Sequence, residues 1–419
     1  GQPGPVYVEL PGDIGLGEWE VAAYSRAIPP PRPAPDPSAI TAAAALIAAA
    51  ERPLIITGGG TILSGAGSTV GRFARRFAIP IQTTPAGRGS VAETHPLFCG
   101  LTGLYRTTLP RRIYEAADLV ITVGSRMEEF QGGFLHFPDG AKLIQIDIEP
   151  FELGRNWEPD VAIQADARLA IEALSAACDA SEVDPKFDLM SEVHEGRLAA
   201  MRAAMDDAAH ALESGEMPLK GKSIVHEINR VFGTNTILVN ENGGQDLWSY
   251  YWPYYFVLDP GCCVPPAEQT AMGYGIVGAM AAKLARPGRQ VVCTTGDGAF
   301  QMQLHELGTA VQEGLAVTWV VCDDSAFGWV QWIQKRTEGP IVATQFAPGT
   351  DLVAAANAAG IEAIRVISAD GLRPALEAAK QANAAGRPFV VVAPVDQAHH
   401  HAEFDRFHGF EPAAGSATA

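Results

Sequence analysis

Two apolar runs each end in acidic residues, with room for one helix between them. Val291-Val292-Cys293-Thr294-Thr295 runs into Gly296-Asp297-Gly298, and Val317-Thr318-Trp319-Val320-Val321-Cys322 runs into Asp323-Asp324. Between them Met302, Leu304, Leu307, Ala310 and Val311 recur near helical spacing, which predicts a helix over 300–313. A strand–loop–helix–strand unit of this kind belongs to a parallel sheet, where ligands bind at the carboxyl ends of the strands. Carboxylate and carbonyl oxygens at those ends suit a hard divalent cation, and Mg²⁺ completes its octahedron with phosphate and water. The helix start after Gly298 offers free N–H groups and a positive dipole to the same phosphates.

At 419 residues the chain is long enough for two or three domains. A net charge of −18 argues against partners that need clustered Lys and Arg, such as nucleic acid or an anionic membrane surface. No apolar stretch reaches membrane-spanning length. The alanine-rich run 41–50 is internal and lacks the basic flank of a signal peptide. It reads as a helix opened by the cap Asp36-Pro37-Ser38. The six cysteines include no C-x-x-C pair, so a zinc ribbon or thioredoxin-type site is not expected. Cys293 and Cys322 read as buried strand residues, and only vicinal Cys262-Cys263 invites a redox reading. Reduced thiols in a large α/β core place the chain in the cytoplasm.

Five segments follow along the chain. Residues 1–37 hold a strand at 4–11, closing on Pro11, and a proline-rich semi-rigid linker. Residues 38–180 alternate helix and strand, with strands at Leu54-Ile55-Ile56-Thr57, Ile79-Pro80-Ile81-Gln82-Thr83-Thr84, Leu119-Val120-Ile121-Thr122-Val123 and Lys142-Leu143-Ile144-Gln145-Ile146-Asp147-Ile148. This predicts an α/β, doubly wound parallel sheet. Residues 181–218 read as a helical connector, and 219–398 as a second doubly wound sheet carrying the paired acidic strand ends. The His-, Gly- and Ala-rich tail 399–419 is expected to be a flap or disordered.

These residues resemble those of the thiamine diphosphate (ThDP) enzymes related to acetolactate synthase. That family's signature is Gly-Asp-Gly, about two dozen residues, then Asn-Asn. The resemblance implies a middle domain and a ThDP diphosphate-binding domain. It extends to Gly124-Ser125-Arg126-Met127-Glu128-Glu129 and Ile146-Asp147-Ile148-Glu149-Pro150 in the middle domain. Asp297 and Asp324 fall on the Mg²⁺ side-chain ligands, and Ala326 on the position that donates a backbone carbonyl. Asp-Asp in place of Asn-Asn keeps the oxygen ligand and adds charge. Gly296, Gly298 and Ala299 would hold the diphosphate. The turn at Asn240-Glu241-Asn242-Gly243-Gly244-Gln245 matches a family turn that binds diphosphate through Gln-His; Gln245 fits, and Asp246 takes the His place. In Glu268-Gln269-Thr270-Ala271-Met272-Gly273, Met272 would wedge under the bent cofactor while the Thr270 carbonyl accepts from its aminopyrimidine. Phe327 and Gly328 would border the cofactor and substrate.

The resemblance implies decarboxylation of a 2-oxo acid with carboligation to an aldehyde or oxo-acid acceptor. The activating Glu of the family lies in a pyrimidine-binding domain, whose last strand 4–11 resembles. A separate chain is therefore expected to supply that domain and its Glu, giving a hetero-oligomer that is inactive as one chain. Acetolactate synthases carry a Trp that favours larger acceptors; Ile333 stands there, beside Trp332. The Gly58-Gly59-Gly60 turn fits FAD, as in acetolactate synthases, ADP, as in oxalyl-CoA decarboxylases, or no ligand. A simple decarboxylase or lyase, and a non-catalytic subunit that keeps only the fold, are the rival readings.

Overall fold

Burial on both faces explains why the apolar runs of this chain become parallel strands. The computed structural model describes residues 1–20, 26–128, 137–241, 243–244, 246–266, 270–346, 349–396, 398 and 400–411. Strands β1 (Pro53–Thr57), β2 (Ile81–Thr83), β3 (Phe98–Leu101), β4 (Leu119–Val123), β5 (Lys142–Asp147) and β6 (Val161–Gln164) form one sheet, in the order β3-β2-β1-β4-β5-β6. Strands β7 (Thr236–Asn240), β8 (Cys263–Val264), β9 (Gln290–Gly296), β10 (Val317–Asp323), β11 (Glu362–Arg365) and β12 (Phe389–Pro394) form a second, in the order β11-β12-β10-β9-β7-β8. All pairings in both sheets are parallel. In β1, β4 and β7 every residue is buried, and each large aliphatic side chain so placed contributes about 1.5–3 kcal/mol.

Helices cover both faces, which makes this an α/β fold of two doubly wound sheets. Around the first sheet lie α1 (Pro37–Ala49), α2 (Gly59–Ser64), α3 (Gly67–Phe77), α4 (Thr108–Glu115) and α5 (Ala167–Ala180). The Asp36 carboxylate accepts from Ser38 N and Ala39 N, the N-cap that the sequence signals. The long α6 (Phe187–Glu213) then bridges the two sheets. Its Arg197 donates to Glu93 O on the first sheet's side at 3.0 Å, and its Asp207 takes Lys222 Nζ at 2.6 Å and Tyr254 OH at 2.9 Å on the second. A fully buried pair, Arg88 and Glu93, reinforces this junction. Arg88 Nε donates to Glu93 Oε1 at 2.7 Å, and Glu93 Oε2 accepts from Val257 N at 2.7 Å.

Around the second sheet lie α7 (Gly221–Phe232), α8 (Tyr274–Ala285), α9 (Asp297–Met302), α10 (Leu307–Gln312), α11 (Gly328–Arg336), α12 (Leu352–Ala358), α13 (Leu372–Ala384) and α14 (Ala402–Phe407). Three expectations change. The helix expected over 300–313 starts earlier, at Asp297, and breaks where Gln303 takes φ −125°. The segment 4–11 forms no strand and pairs with none among the described residues, and Val6, Tyr7 and Val8 are 84%, 86% and 81% exposed. The tail is not a loose flap over 402–407. It forms α14, whose Glu403, Phe404 and Asp405 are buried by aromatic and ionic contacts; His399 and 412–419 lie outside the described residues.

Candidate functional site

The chain reverses its direction of travel across the second sheet between β7 and β9, the place where open α/β sheets bind ligands. A cavity of about 300 Å³ opens there. Gly243 and Gly244 line it from the loop after β7, and Gly296, Asp297, Gly298 and Ala299 from the end of β9. Cys322 lines it from the end of β10, Asp324, Ala326, Phe327 and Gly328 from just after it, and Thr270 and Met272 from the approach to α8. The cavity thus brings together ten of the residues that sequence motifs singled out: Thr270, Met272, Gly296, Asp297, Gly298, Ala299, Asp324, Ala326, Phe327 and Gly328. Gln245 and the side chain of Asp246 lie outside the described residues.

Asp297 is 2% exposed, and its Oδ1 accepts from Gly298 N at 2.9 Å. Burial, then the nearby carboxylates of Asp324 and Asp323, push its carboxyl up to about 8. Like charges packed this closely call for a cation. Among the described residues no group of three His, Cys, Asp or Glu side chains could hold a metal ion. Two carboxylates, those of Asp297 and Asp324, line the cavity with Ala326, a donor set that suits a cation arriving with phosphate and water.

Backbone geometry tightens the same loop. Asp324 Oδ1 accepts from Ala326 N at 3.2 Å, and between them Ser325 takes φ +53°. A Cβ on Gly328 would lie 2.2 Å from Asp324 Oδ2, so only glycine leaves this carboxylate in place. Thr270 holds φ +43°, a conformation that β-branched residues rarely adopt. Local strain of this kind clusters at ligand clamps. Beneath Met272, fully buried Glu241 accepts from Gly275 N at 2.7 Å and fixes the start of α8. Nothing in its spacing marks Glu241 in the sequence, apart from its place at a strand end.

The outer wall is apolar, made by Phe327, Trp329, Val330, Ile333 and Tyr105. Tyr105 was not legible as a site residue, because it comes from the loop between β3 and α4 of the other sheet. Its ring lies 4.4 Å from that of Tyr250. The aromatic run 250–256 packs behind this wall, at the junction between the sheets, and does not line the cavity. Ile333 faces the cavity, whereas Trp332 turns to Phe404 at 4.6 Å and His408 at 5.0 Å. Cys262 and Cys263 are buried free thiols, and burial pushes Cys263 up to about 12, which removes the redox reading. His305 is a surface side chain, 70% exposed. His401 caps α14 by accepting from Glu403 N at 3.1 Å.

A second cavity of about 400 Å³ sits at the carboxyl ends of the first sheet. Gly59, Gly60, Gly124, Ser125, Arg126 and Asp147 line it. A Cβ on Gly58 would lie 2.2 Å from Gly124 O, and one on Gly60 2.8 Å from Gly124 Cα. Close loop packing thus accounts for two glycines of the triplet.

The fold and the first cavity define an α/β protein with a glycine-lined, acidic cavity at a strand-order reversal, the place where such sheets bind ligands. Family comparison makes this specific. Residues 40–174 match the thiamine pyrophosphate enzyme central domain, and residues 247–393 match the thiamine pyrophosphate enzyme C-terminal TPP binding domain. The chain is 30% identical over 419 residues to the probable acetolactate synthase large subunit of Methanocaldococcus jannaschii, covering 95% of this chain and 68% of that protein. It is 30% identical over 395 residues to the corresponding Methanococcus aeolicus protein, covering 90% and 65%. With the isozyme 1 large subunit of Escherichia coli it shares 29% over 337 residues, covering 80% and 57%. The chain belongs to the thiamine pyrophosphate enzyme family, among the acetolactate synthase-like members. It spans about two thirds of the length of the first two relatives.

Proposed function

We propose that this chain supplies the diphosphate- and Mg²⁺-binding half of a ThDP-dependent enzyme that decarboxylates a 2-oxo acid and joins the remaining acyl unit to a carbonyl acceptor. One observation carries the reading: Asp297, Asp324, Met272 and Thr270 border a single cavity at the strand-order reversal. Bound ThDP supplies a thiazolium that acts as the electron sink for loss of CO₂. Asp297 and Asp324 would hold Mg²⁺ with the Ala326 carbonyl. The N–H groups of Gly298 and Ala299, at the start of α9, would face the diphosphate. Met272 would support the bent cofactor, with the Thr270 carbonyl on its aminopyrimidine. Phe327, Trp329, Val330 and Tyr105 exclude water from the reacting face.

A pyrimidine-binding domain with its activating Glu would complete the site, whether on the same polypeptide or on another chain of a hetero-oligomer. The exposed apolar residues Val6, Tyr7, Val8 and Leu10 support this, since they offer a strand to another sheet. Relatives named large subunits fit assembly with another subunit, whose content their name does not state. The six free cysteines fit a cytoplasmic setting, and no helix among the described residues is long and apolar enough to cross a membrane. The second cavity lies where a nucleotide-type ligand, FAD or ADP, would meet Asp147 and the glycine turn.

The test is calorimetry of ThDP with Mg²⁺ on the full-length protein and its completing chain. Asp297→Ala is expected to abolish binding, and Asp324→Asn to weaken it only mildly; unchanged affinity in Asp297→Ala removes the reading. Pyruvate offered with a panel of aldehydes and oxo acids is expected to give CO₂ and coupled products, dependent on ThDP and Mg²⁺. Ile333 in the wall leads to acceptors other than 2-oxobutyrate. Aldehyde products alone would assign a decarboxylase, and no turnover of any 2-oxo acid would assign a non-catalytic subunit.

A further inference from the structure

Asp323 stands beside the candidate metal ligands, yet it does not line the cavity as Asp297 and Asp324 do. Its Oδ2 accepts from Arg365 Nη1 at 2.7 Å. Its Oδ1 accepts from Ser325 N at 3.2 Å and Ser325 Oγ at 3.3 Å. Both oxygens are therefore engaged by Arg365 and Ser325, although the side chain stays beside Asp297. The Asp323 side chain is 10% exposed and that of Arg365 36%, so the pair lies at the protein's edge with its carboxylate half largely covered. Arg365 closes β11, the edge strand, and β12 lies between β11 and β10. Arg365 pairs in register with Val392 and Asp323 with Pro394, so the guanidinium reaches across the end of β12 to meet the carboxylate.

Three carboxylates thus crowd the ends of β9 and β10, and one guanidinium, that of Arg365, pairs with the one that does not line the cavity. We propose that Arg365 is a positioning residue that holds Asp323 out of the metal shell, so that two carboxylates, not three, are offered to the cation. The inference rests on the ThDP and Mg²⁺ reading above. Its consequence is metal choice. Mg²⁺ is small, requires near-ideal octahedral geometry and keeps its waters, whereas Ca²⁺ accepts about 6–8 oxygens in flexible arrangements. A released Asp323 adds one or two oxygens and favours the larger ion.

The test titrates Mg²⁺ and Ca²⁺ by calorimetry into the full-length protein with its completing chain, ThDP in excess. Arg365→Gln is expected to raise the ratio of Ca²⁺ to Mg²⁺ affinity about tenfold. Adding Asp323→Asn to Arg365→Gln is expected to return the ratio to the wild-type value, and Arg365→Lys to leave it near there. A ratio in Arg365→Gln within about twofold of wild type overturns the inference, as does a double variant that stays shifted. Should Arg365→Gln not fold, the double variant and Asp323→Asn alone decide, since neither has a third carboxylate to release and both are expected to keep the wild-type ratio. A tenfold change in either overturns the inference. Wild-type protein that takes up neither metal overturns the cofactor reading itself, a result distinct from wild-type binding with an unaltered Arg365→Gln.

Discussion

Glu403 Oε1 accepts a hydrogen bond from Arg111 Nε at 3.1 Å, joining residues 292 positions apart. Glu403 is fully buried and also meets Arg406 and, at 3.8 Å, Arg106 Nε. On the same short helix, Asp405 takes Arg336 from the end of α11. Phe404 packs against Trp329 at 5.5 Å and Trp332 at 4.6 Å. Trp329 lines the cavity, and so does Tyr105, the neighbour of Arg106. Helix α14 therefore sets the separation of two cavity walls that belong to different sheets.

Phe404→Ala is expected to cost about 3 kcal/mol, the usual loss for a large aromatic removed from a packed core. A thermal scan should show a lower midpoint, and tryptophan emission should shift to the red as Trp329 and Trp332 gain water. An unchanged midpoint and spectrum would show that α14 is not packed this way.

Gly328→Ala adds one methyl group and no charge, yet its Cβ would lie 2.2 Å from Asp324 Oδ2. The carboxylate has to move. Mg²⁺-dependent ThDP affinity is expected to drop about tenfold, or ~1.4 kcal/mol, with far-ultraviolet circular dichroism preserved. Equal affinity in calorimetry would exclude Asp324 as a ligand.

The raised carboxyl of Asp297 fixes the sign of a pH effect. Its proton is held in the folded chain up to about 8, against 3.8 for the free group. Its stabilising effect is full below the unfolded value and is lost as pH rises through the folded value. Metal-free protein should therefore melt lower at about pH 9 than at about pH 6. Added Mg²⁺ should raise the midpoint more at the higher pH, because the metal replaces the proton. A Mg²⁺ effect that shrinks with rising pH would contradict this.

Thr270→Gly should relieve the φ of +43°. Strain of this kind costs about 1–3 kcal/mol, against about 0.5–1 kcal/mol for the added freedom of glycine in the unfolded chain. The denaturant midpoint should rise, corresponding to a gain of about 1 kcal/mol. A fall would mean that the backbone there is not strained.

Much of this architecture was legible because parallel strands, buried on both faces, appear as unbroken apolar runs. The runs at 54–57, 119–123 and 317–322 needed no tertiary information. That Asp297 and Asp324 meet at one cavity was legible because both follow strand ends, and Met272 was placed there by the family resemblance. Tyr105 was not, since only the packing of one sheet on the other brings it to the cavity. Short β3 also escaped notice, because Gly100 interrupts the apolar run. Glu403 and Arg365 look like surface charges in the sequence; their importance lies in partners more than 40 positions away.

The contact between Gly58 and Gly124 has a mechanical consequence. Two loops meet there backbone to backbone, with a would-be Cβ only 2.2 Å from a carbonyl oxygen, so the glycine part of the second cavity's wall, Gly59, Gly60 and Gly124, has no side-chain rotors to freeze and little slack to take up. A ligand arriving there meets a mould already set. Its binding spends little entropy on ordering that part of the wall, and free and bound forms of it should superpose almost without displacement.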